Sequence, residues 1–350
     1  MSTVLVTGGA GFIGSHTCVE LLEHGHDVVV VDDHSTGSPA ALDAVQAVTG
    51  RTLVAHDVDV RDRAGLDAVL AAHRVDAVVH FAARKAVGES VRIPLEYYDI
   101  NVGGTVTLLQ AMLASGVHRL VFSSSCSIYG DTGAGLLDES LPARPTNPYA
   151  RSKWMCEQVI ADAAARHPEL AAVALRYFNP AGAHPSGLLG EDPRGAVTNV
   201  FPLLMQVAVG RRDRLEIFGG DYPTPDGTAV RDYVHVVEIA DGHRVALDRL
   251  QPGMRVLNLG TGVGTSVRRL VAEFAEAAGR PIPHAVVDRR PGDVAELVAD
   301  TALVEREWGW RARLDVAAMC RDAWRFQRSH PTGYPGRRIS AVAAPPRRSR

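Results

Sequence analysis

Tyr149 and Lys153 stand four residues apart in Asn147-Pro148-Tyr149-Ala150-Arg151-Ser152-Lys153, a stretch that reads as the start of a helix. Asn147 can accept hydrogen bonds from the unpaired backbone N–H groups there, and Pro148 suits the first helical position, where no N–H is needed. The spacing puts phenol and amine on one helix face. A phenol, with a pKa near ~10, is too weakly ionised to act as a base at neutral pH. An ammonium held close stabilises the phenolate, so the pair predicts a tyrosine general base. A Tyr-Lys pair at helical spacing is also common without any function, so other residues must decide. Ser123-Ser124-Ser125 offers hydroxyls that can hold a reacting oxygen or relay the tyrosine's proton, or can simply cap the next element.

A second chemistry lies at the N-terminus. Val4-Leu5-Val6 reads as a buried strand running into Gly8, Gly11 and Gly14 at GxxGxxG spacing, then a helix to about Glu23. Asp27 to Val31 is a second strand ending in Asp32-Asp33. Glycines of this spacing permit a tight turn and a pyrophosphate against the helix N-terminus. Asp32 sits where an acid hydrogen-bonds a ribose 2′-hydroxyl and repels a 2′-phosphate, which favours NAD over NADP.

The elements that must position these groups alternate. Strands are expected at 53–60, 76–81, 118–123 and 171–176, with helical patterns between them, notably 101–115. The valine run at 28–31 is typical of a parallel strand covered on both faces. The fold class is therefore α/β, a doubly wound parallel sheet of Rossmann type with a smaller C-terminal α/β substrate lobe. Residues 1–180 form the nucleotide domain. Residues 181–335 are mainly the substrate lobe, with segments around 230–270 returning to the sheet, and 336–350 form a disordered basic tail. In such sheets ligands bind beyond the carboxyl ends of the strands, where Phe81-Ala82-Ala83-Arg84-Lys85, the serine run and Tyr177-Phe178-Asn179 fall. A helix with Pro202 is expected over 197–210, a strand over 215–219, and a strand over 256–259 followed by a second glycine turn, Gly260-Thr261-Gly262-Val263-Gly264. That turn lacks a following strand and acid, so it is read as structural.

Composition narrows the class. The 350 residues are 46% apolar and 22% charged with net charge −3, which suits a globular enzyme and not a nucleic-acid binder. Cys18, Cys126, Cys156 and Cys320 are scattered, and the histidines form no short-spaced ligand pair, so neither a disulfide framework nor a metal is expected. No apolar run approaches the ~18 residues that span a bilayer, and a cytoplasmic location is expected. Of 37 basic residues only Lys85 and Lys153 are lysine.

Taken together, the motifs resemble the extended short-chain dehydrogenase/reductase family over roughly residues 3–335 and, within it, the UDP-glucose 4-epimerases. Val-Thr-Gly-Gly-Ala-Gly-Phe-Ile-Gly-Ser-His, Phe-Ser-Ser-Ser and Tyr-x-x-x-Lys carry the wider resemblance. Lys-Ala-Val-Gly-Glu-Ser, Arg-Tyr-Phe-Asn-Pro, Gly-Ala-His-Pro-Ser-Gly and Arg-Asp-Tyr-Val-His-Val carry the narrower one. The resemblance implies Tyr149 as base, Ser125 as its partner and Lys153 on the nicotinamide ribose. It implies that Gly8, Gly11, Phe12, Ile13, Gly14, Asp32, Asp33, Asp59, Val60, Phe81, Ala82, Lys85 and Phe178 contact NAD. It further implies that Lys85, Ser125, Tyr149, Asn179, Asn199, Arg231, Arg290, Asp293 and Leu297 meet a UDP-sugar, which is oxidised and re-reduced at C4. Leu297, at a position that is usually tyrosine where N-acetyl sugars are refused, implies some turnover of those sugars. A homodimer through helices beginning near Asn101 and Pro148 is also implied. Two rivals stay open: UDP-glucuronate decarboxylase, disfavoured by the motifs after Asn179, and a non-catalytic NAD-sensing regulator, which the Tyr-Lys pair argues against. Cys126-Ser127 replaces the Asp-Glu pair of the sugar-nucleotide 4,6-dehydratases and counts against that chemistry.

Overall fold

The computed structural model describes residues 2–334 apart from 134, 194–196, 198 and 291; the expected basic tail lies outside the described residues. The chain begins β1 (Thr3–Thr7), α1 (Phe12–Glu23), β2 (Asp27–Asp32), α2 (Pro39–Thr49), β3 (Val54–Asp57), α3 (Arg63–Ala72) and β4 (Ala77–His80). Short helices α4 (Val87–Arg92) and α5 (Pro94–Tyr97) lead through a π-helical stretch, Tyr98–Gly103, into α6 (Gly104–Ala114). Then come β5 (Arg119–Ser123), β6 (Leu136–Leu137), α7 (Pro148–Arg166), β7 (Ala171–Tyr177) and β8 (Asn179–Ala181). The remainder is α8 (Val200–Ala208), β9 (Leu215–Phe218), β10 (Val230–His235), α9 (Val236–Asp248), β11 (Gly253–Leu259), β12 (Gly264–Ser266) and α10 (Val267–Ala278). It closes with β13 (His284–Val287), β14 (Glu296–Ala299), α11 (Ala302–Trp308) and α12 (Val316–Ser329).

A seven-stranded sheet in the order β11-β7-β5-β4-β1-β2-β3 is parallel throughout. Alternate residues serve its two faces. Val4, Val6, Val28 and Val30 pack with α1, α2 and α9; Leu5, Val29, Val31 and Val78 pack with α3, α6 and α7. This is why the valine runs are unbroken: each face needs its own apolar set. Strand order reverses at β1, which has β2 on one side and β4 on the other, and the crevice opens at that switch point. Thr7 at its rim pairs with both Val31 and His80.

A smaller sheet, β12-β10-β14-β6 with β8 beside β10, carries the other lobe. A third apolar cluster joins α8, α10 and α12 to β9. Of the 230–270 stretch, α9 and β11 build into the large sheet, while β10, β12 and α10 stay in the small lobe. Helix α8 starts at Val200 and not at 197: Asn199 is extended, and Pro202 then falls in the first turn, where its missing N–H costs nothing.

The second glycine turn is spent internally. The fully buried Asp232 carboxylate accepts N–H bonds from Thr261 (2.9 Å), Gly262 (3.0 Å) and Ala299 (3.2 Å), and the Thr261 hydroxyl at 2.6 Å. A phosphate would find those amides already occupied. Among the described residues no helix is long and apolar enough to cross a membrane.

Candidate active site

Helix α7 begins as its residues dictate, with the Asn147 side chain accepting from Ala150 N at 2.9 Å and Pro148 in the first turn. Lys153 and Glu157, one and two turns beyond Tyr149, are carried into the protein and lock the helix to the ends of β5 and β7. Lys153 Nζ donates to the Ser123 carbonyl at 2.7 Å and lies 4.9 Å from the Phe122 ring centre. Glu157 Oε1 accepts from Ser124 Oγ at 2.5 Å and from Arg176 Nε at 3.0 Å, while Oε2 accepts Arg176 Nη2 at 2.7 Å. Glu157 and Arg176 are both buried, so the pair holds only because each charge is hydrogen-bonded by the other. The sequence carries a signal for Glu157, which continues the Tyr149–Lys153 face by four more residues.

The electrostatics correct one expectation. Lys153 does not lower the Tyr149 phenol in the chain alone. Burial pushes Tyr149 up to about 12, against the pull of a hydrogen bond with Ser125, and the nearby Cys126 thiol adds to the rise. Burial pushes Lys153 down to about 8, with Cys156 and Glu157 acting the other way. The physical reason is that the ammonium is drawn to the Ser123 carbonyl, a partner thirty residues away that helical spacing cannot reveal. Ser125 is itself held: Ser127 N donates to its Oγ at 3.2 Å and the two hydroxyls lie 2.9 Å apart.

Asn101 is a further support that sequence reasoning passed over. It is buried in the π-helical stretch, its amide donates to Ser152 Oγ at 2.9 Å and to the Arg84 carbonyl at 3.0 Å, and its Oδ1 accepts Arg84 N at 2.8 Å. The loop that carries Lys85 is thereby tied to α7.

The glycine turn closes against its neighbours. A Cβ on Gly8 would lie 2.7 Å from Ala82 N, and one on Gly14 would lie 2.2 Å from the Gly8 carbonyl oxygen, so both positions demand glycine. Gly11 is different: a Cβ there meets nothing nearer than 3.2 Å, and no side chain caps the N-terminus of α1 behind it. Phe12 and Ile13 open that helix. Asp32 is buried and already engaged, with Oδ2 accepting Ala10 N at 2.9 Å and Oδ1 accepting His34 N at 2.8 Å. It fastens the glycine turn to the end of β2 as well as offering its remaining lone pairs. Asp33 accepts from Ser35 N. Asp59 is held by Arg61, whose side chain lowers its pKa first and foremost. Val60 is buried against Gly104, Phe81 packs on His243, and Phe178 is buried at the end of β7.

The substrate-side residues gather on the other lobe. Arg231 and Leu297 are register partners on β10 and β14. Arg231 lies near enough to Cys126 to lower its burial-raised thiol, which brings this lobe beside Ser125 and Tyr149. Arg290 and Asp293 pair with each other through two hydrogen bonds of 3.1 and 2.9 Å. Asn179 pairs with Tyr233 in the strand ladder, and Asn199 heads α8 without spending its side chain on a cap. Tyr222 was not anticipated: its hydroxyl is buried without a hydrogen-bond partner among the described residues, close to Asp293, Arg289 and Arg231. An orphaned phenol beside two guanidiniums fits a ligand with anionic oxygens.

The family model described as "NAD dependent epimerase/dehydratase family" matches residues 4–260. The chain belongs to the NAD dependent epimerase/dehydratase family. It is 49% identical over 333 residues to a UDP-glucose 4-epimerase of Bacillus subtilis, covering 95% of this chain and 98% of that one. Among solved structures it is similar to UDP-glucose 4-epimerase from Bifidobacterium longum in complex with NAD+ and UDP, with TM-score 0.92, 46% identity, and 95% and 100% of the two chains covered. The UDP-Glc/GlcNAc 4-epimerase of Campylobacter jejuni is similar at 36% identity with TM-score 0.81, covering 94% and 100%. As in its family, NAD is the cofactor. The uncapped, side-chain-free start of α1 at Gly11 fits a pyrophosphate, and Asp32 at the rim of β2 fits a ribose.

The displaced lysine has a measurable consequence. Unfolded, its amine returns to its ordinary 10.5, while folded it sits near 8. Between those values the unfolded chain holds a proton that the folded chain has released, so this group's contribution to stability rises with pH from about 8 to about 10.5. In denaturant titrations of cofactor-free protein across that window, wild type is expected to gain on the order of 3 kcal/mol relative to Lys153→Met. Parallel pH profiles for the two proteins would show that Lys153 is not desolvated as described.

Proposed function

We propose that the chain interconverts UDP-galactose and UDP-glucose by inverting C4 of the sugar, with NAD retained through turnover, as a step of galactose metabolism. The observation that carries this is that Tyr149, hydrogen-bonded to Ser125, stands beside Cys126, which Arg231 of β10 also reaches, with Leu297 next to Arg231 in the strand register. The names of the relatives and the motifs after Asn179 support the same substrate. NAD supplies, when bound, the acceptor and then the donor of the C4 hydride. Tyr149, ionised, takes the proton of the sugar 4-hydroxyl, and Ser125 holds the oxygen from which it leaves. Arg231 and Arg290 grip the diphosphate, the latter by exchanging Asp293 for phosphate oxygens. Asn179 and Asn199 address the uridine and sugar. A firm hold on UDP with a loose hold on the sugar lets the 4-keto sugar turn and present its other face, after which Tyr149 returns the proton.

Purified protein given UDP-galactose without added NAD is expected to produce UDP-glucose, and Tyr149→Phe to lose about 10²–10⁴-fold in rate. No conversion even with NAD supplied would overturn the proposal. In the same assay UDP-N-acetylgalactosamine should turn over more slowly, and Leu297→Tyr should remove that activity while leaving the UDP-galactose reaction.

We also propose a homodimer. Val87, Val91 and Leu95 on α4 and α5, and Trp154 and Met155 on the adjoining α7, are exposed apolar side chains on one side of the molecule. A second copy is the occupant the family resemblance favours. Sedimentation equilibrium should give twice the chain mass, and Leu95→Glu should shift it toward one; a monomer at all concentrations would refute it.

A further inference from the structure

Arginine fills 35 of the 37 basic positions, and the two lysines are Lys153, buried in the site, and Lys85. Lys85 sits on the loop after β4, at the carboxyl edge of the large sheet. Its side chain is 53% exposed, and its Nζ donates to Glu191 Oε1 at 2.9 Å. Glu191 lies 106 residues along the chain, beyond β8, and its side chain is only 5% exposed. Its segment lies beside Phe326 and Gly333 of the C-terminal region, and the next residue, Asp192, accepts Tyr334 N at 3.0 Å. The pair therefore joins the cofactor-side loop to a segment beyond β8 that is anchored on the C-terminal residues.

The asymmetry decides what the pair does. An exposed ion pair contributes little and leaves a lysine free to wander. A buried carboxylate stripped of its cation is strongly unfavourable, so Glu191 cannot release Lys85 without a replacement. The ammonium is a compact charge on a flexible stem, so it takes its position from whatever holds it. Asn101 fixes the backbone one residue earlier, at Arg84, from both N–H and carbonyl. Backbone and head of Lys85 are thus held from two directions.

We propose that Glu191 is the positioning residue for Lys85: from the segment beyond β8 it fixes the Lys85 ammonium at the carboxyl edge of the large sheet, so that the cofactor and UDP-sugar meet a charge already in place. This rests on the UDP-sugar reading for its kinetics, but the pairing itself can be read without turnover.

The test uses full-length protein with its cofactor, as wild type, Glu191→Gln, Glu191→Asp, Lys85→Gln and the double variant Lys85→Gln/Glu191→Gln. Reductive methylation followed by peptide mass mapping reports Lys85 directly, because Lys153 is shielded. Labelling of Lys85 is expected to quicken severalfold in Glu191→Gln, and also in Glu191→Asp should the glutamine variant fail to fold. Its kcat/KM for UDP-galactose should fall about tenfold or more, with the double variant no better than either single one. Unchanged Lys85 labelling in the folded variant would overturn the proposal, as would wild-type kcat/KM in Glu191→Gln. Recovery of kcat/KM in the double variant would also overturn it, since Lys85 would then be dispensable and the pair merely structural. If wild type turned over no UDP-sugar while labelling still quickened in Glu191→Gln, the function would be at fault and the positioning would stand.

Discussion

A full positive charge carried to a buried carbonyl is what the active side of this molecule depends on. Lys153 is drawn out of water to the Ser123 carbonyl, and one turn further Glu157 is drawn in to Ser124 and Arg176. Each charge would be prohibitive alone; Glu157 is offset by Ser124 and Arg176, and Lys153 by the Ser123 carbonyl and the face of Phe122. Together they fasten α7 to the ends of β5 and β7, and so fix the distance between the Tyr149 phenol and the Ser125 hydroxyl. The cost is visible in the folded chain: burial holds the phenol protonated and moves the amine toward neutrality, both away from what catalysis needs. The chain by itself is a frame for a base, and a positive charge brought beside the phenol is what would draw its pKa down.

The same economy of charge recurs around the cleft. Asp32 is held by two backbone amides, Asp59 by Arg61, Arg290 by Asp293 and Lys85 by Glu191. Most ligand-facing ions thus have an internal partner before any ligand arrives. Binding exchanges one partner for another instead of desolvating a bare ion, which keeps the net cost of each contact small. Tyr222, a neutral phenol, differs: among the described residues its buried hydroxyl has no hydrogen-bond partner, near Arg231 and Asp293.

Much of the fold was legible because it follows from local rules. The valine runs announced strands covered on both faces, the spacing of Gly8, Gly11 and Gly14 announced the turn, and Asn147-Pro148 announced the start of α7. Gly8 and Gly14 turned out to be required by contact with Ala82 and with the turn's own backbone, while Gly11 is the least crowded of the three. What stayed hidden depends on partners far apart in sequence. Nothing near Lys153 reveals that its ammonium goes to Ser123, nor does anything in Gly260-Thr261-Gly262 show that Asp232 consumes the turn's amides. Arg290 and Asp293, which the resemblance sets together on the UDP-sugar, are hydrogen-bonded to each other, and the expected helix at 101–115 opens with a π-helical stretch in which Asn101 turns inward to Arg84 and Ser152.

The measurement that bears most directly on this account is the titration of Tyr149 itself. Difference absorbance in the phenolate band, wild type minus Tyr149→Phe, would be followed against pH in cofactor-stripped protein and again with NAD bound. In the stripped protein the phenol should ionise only near pH 12, and with NAD bound the midpoint should fall well below that. A stripped protein whose Tyr149 ionised near neutral pH, or a midpoint indifferent to NAD, would contradict the view that burial holds the base in reserve until the cofactor's charge arrives.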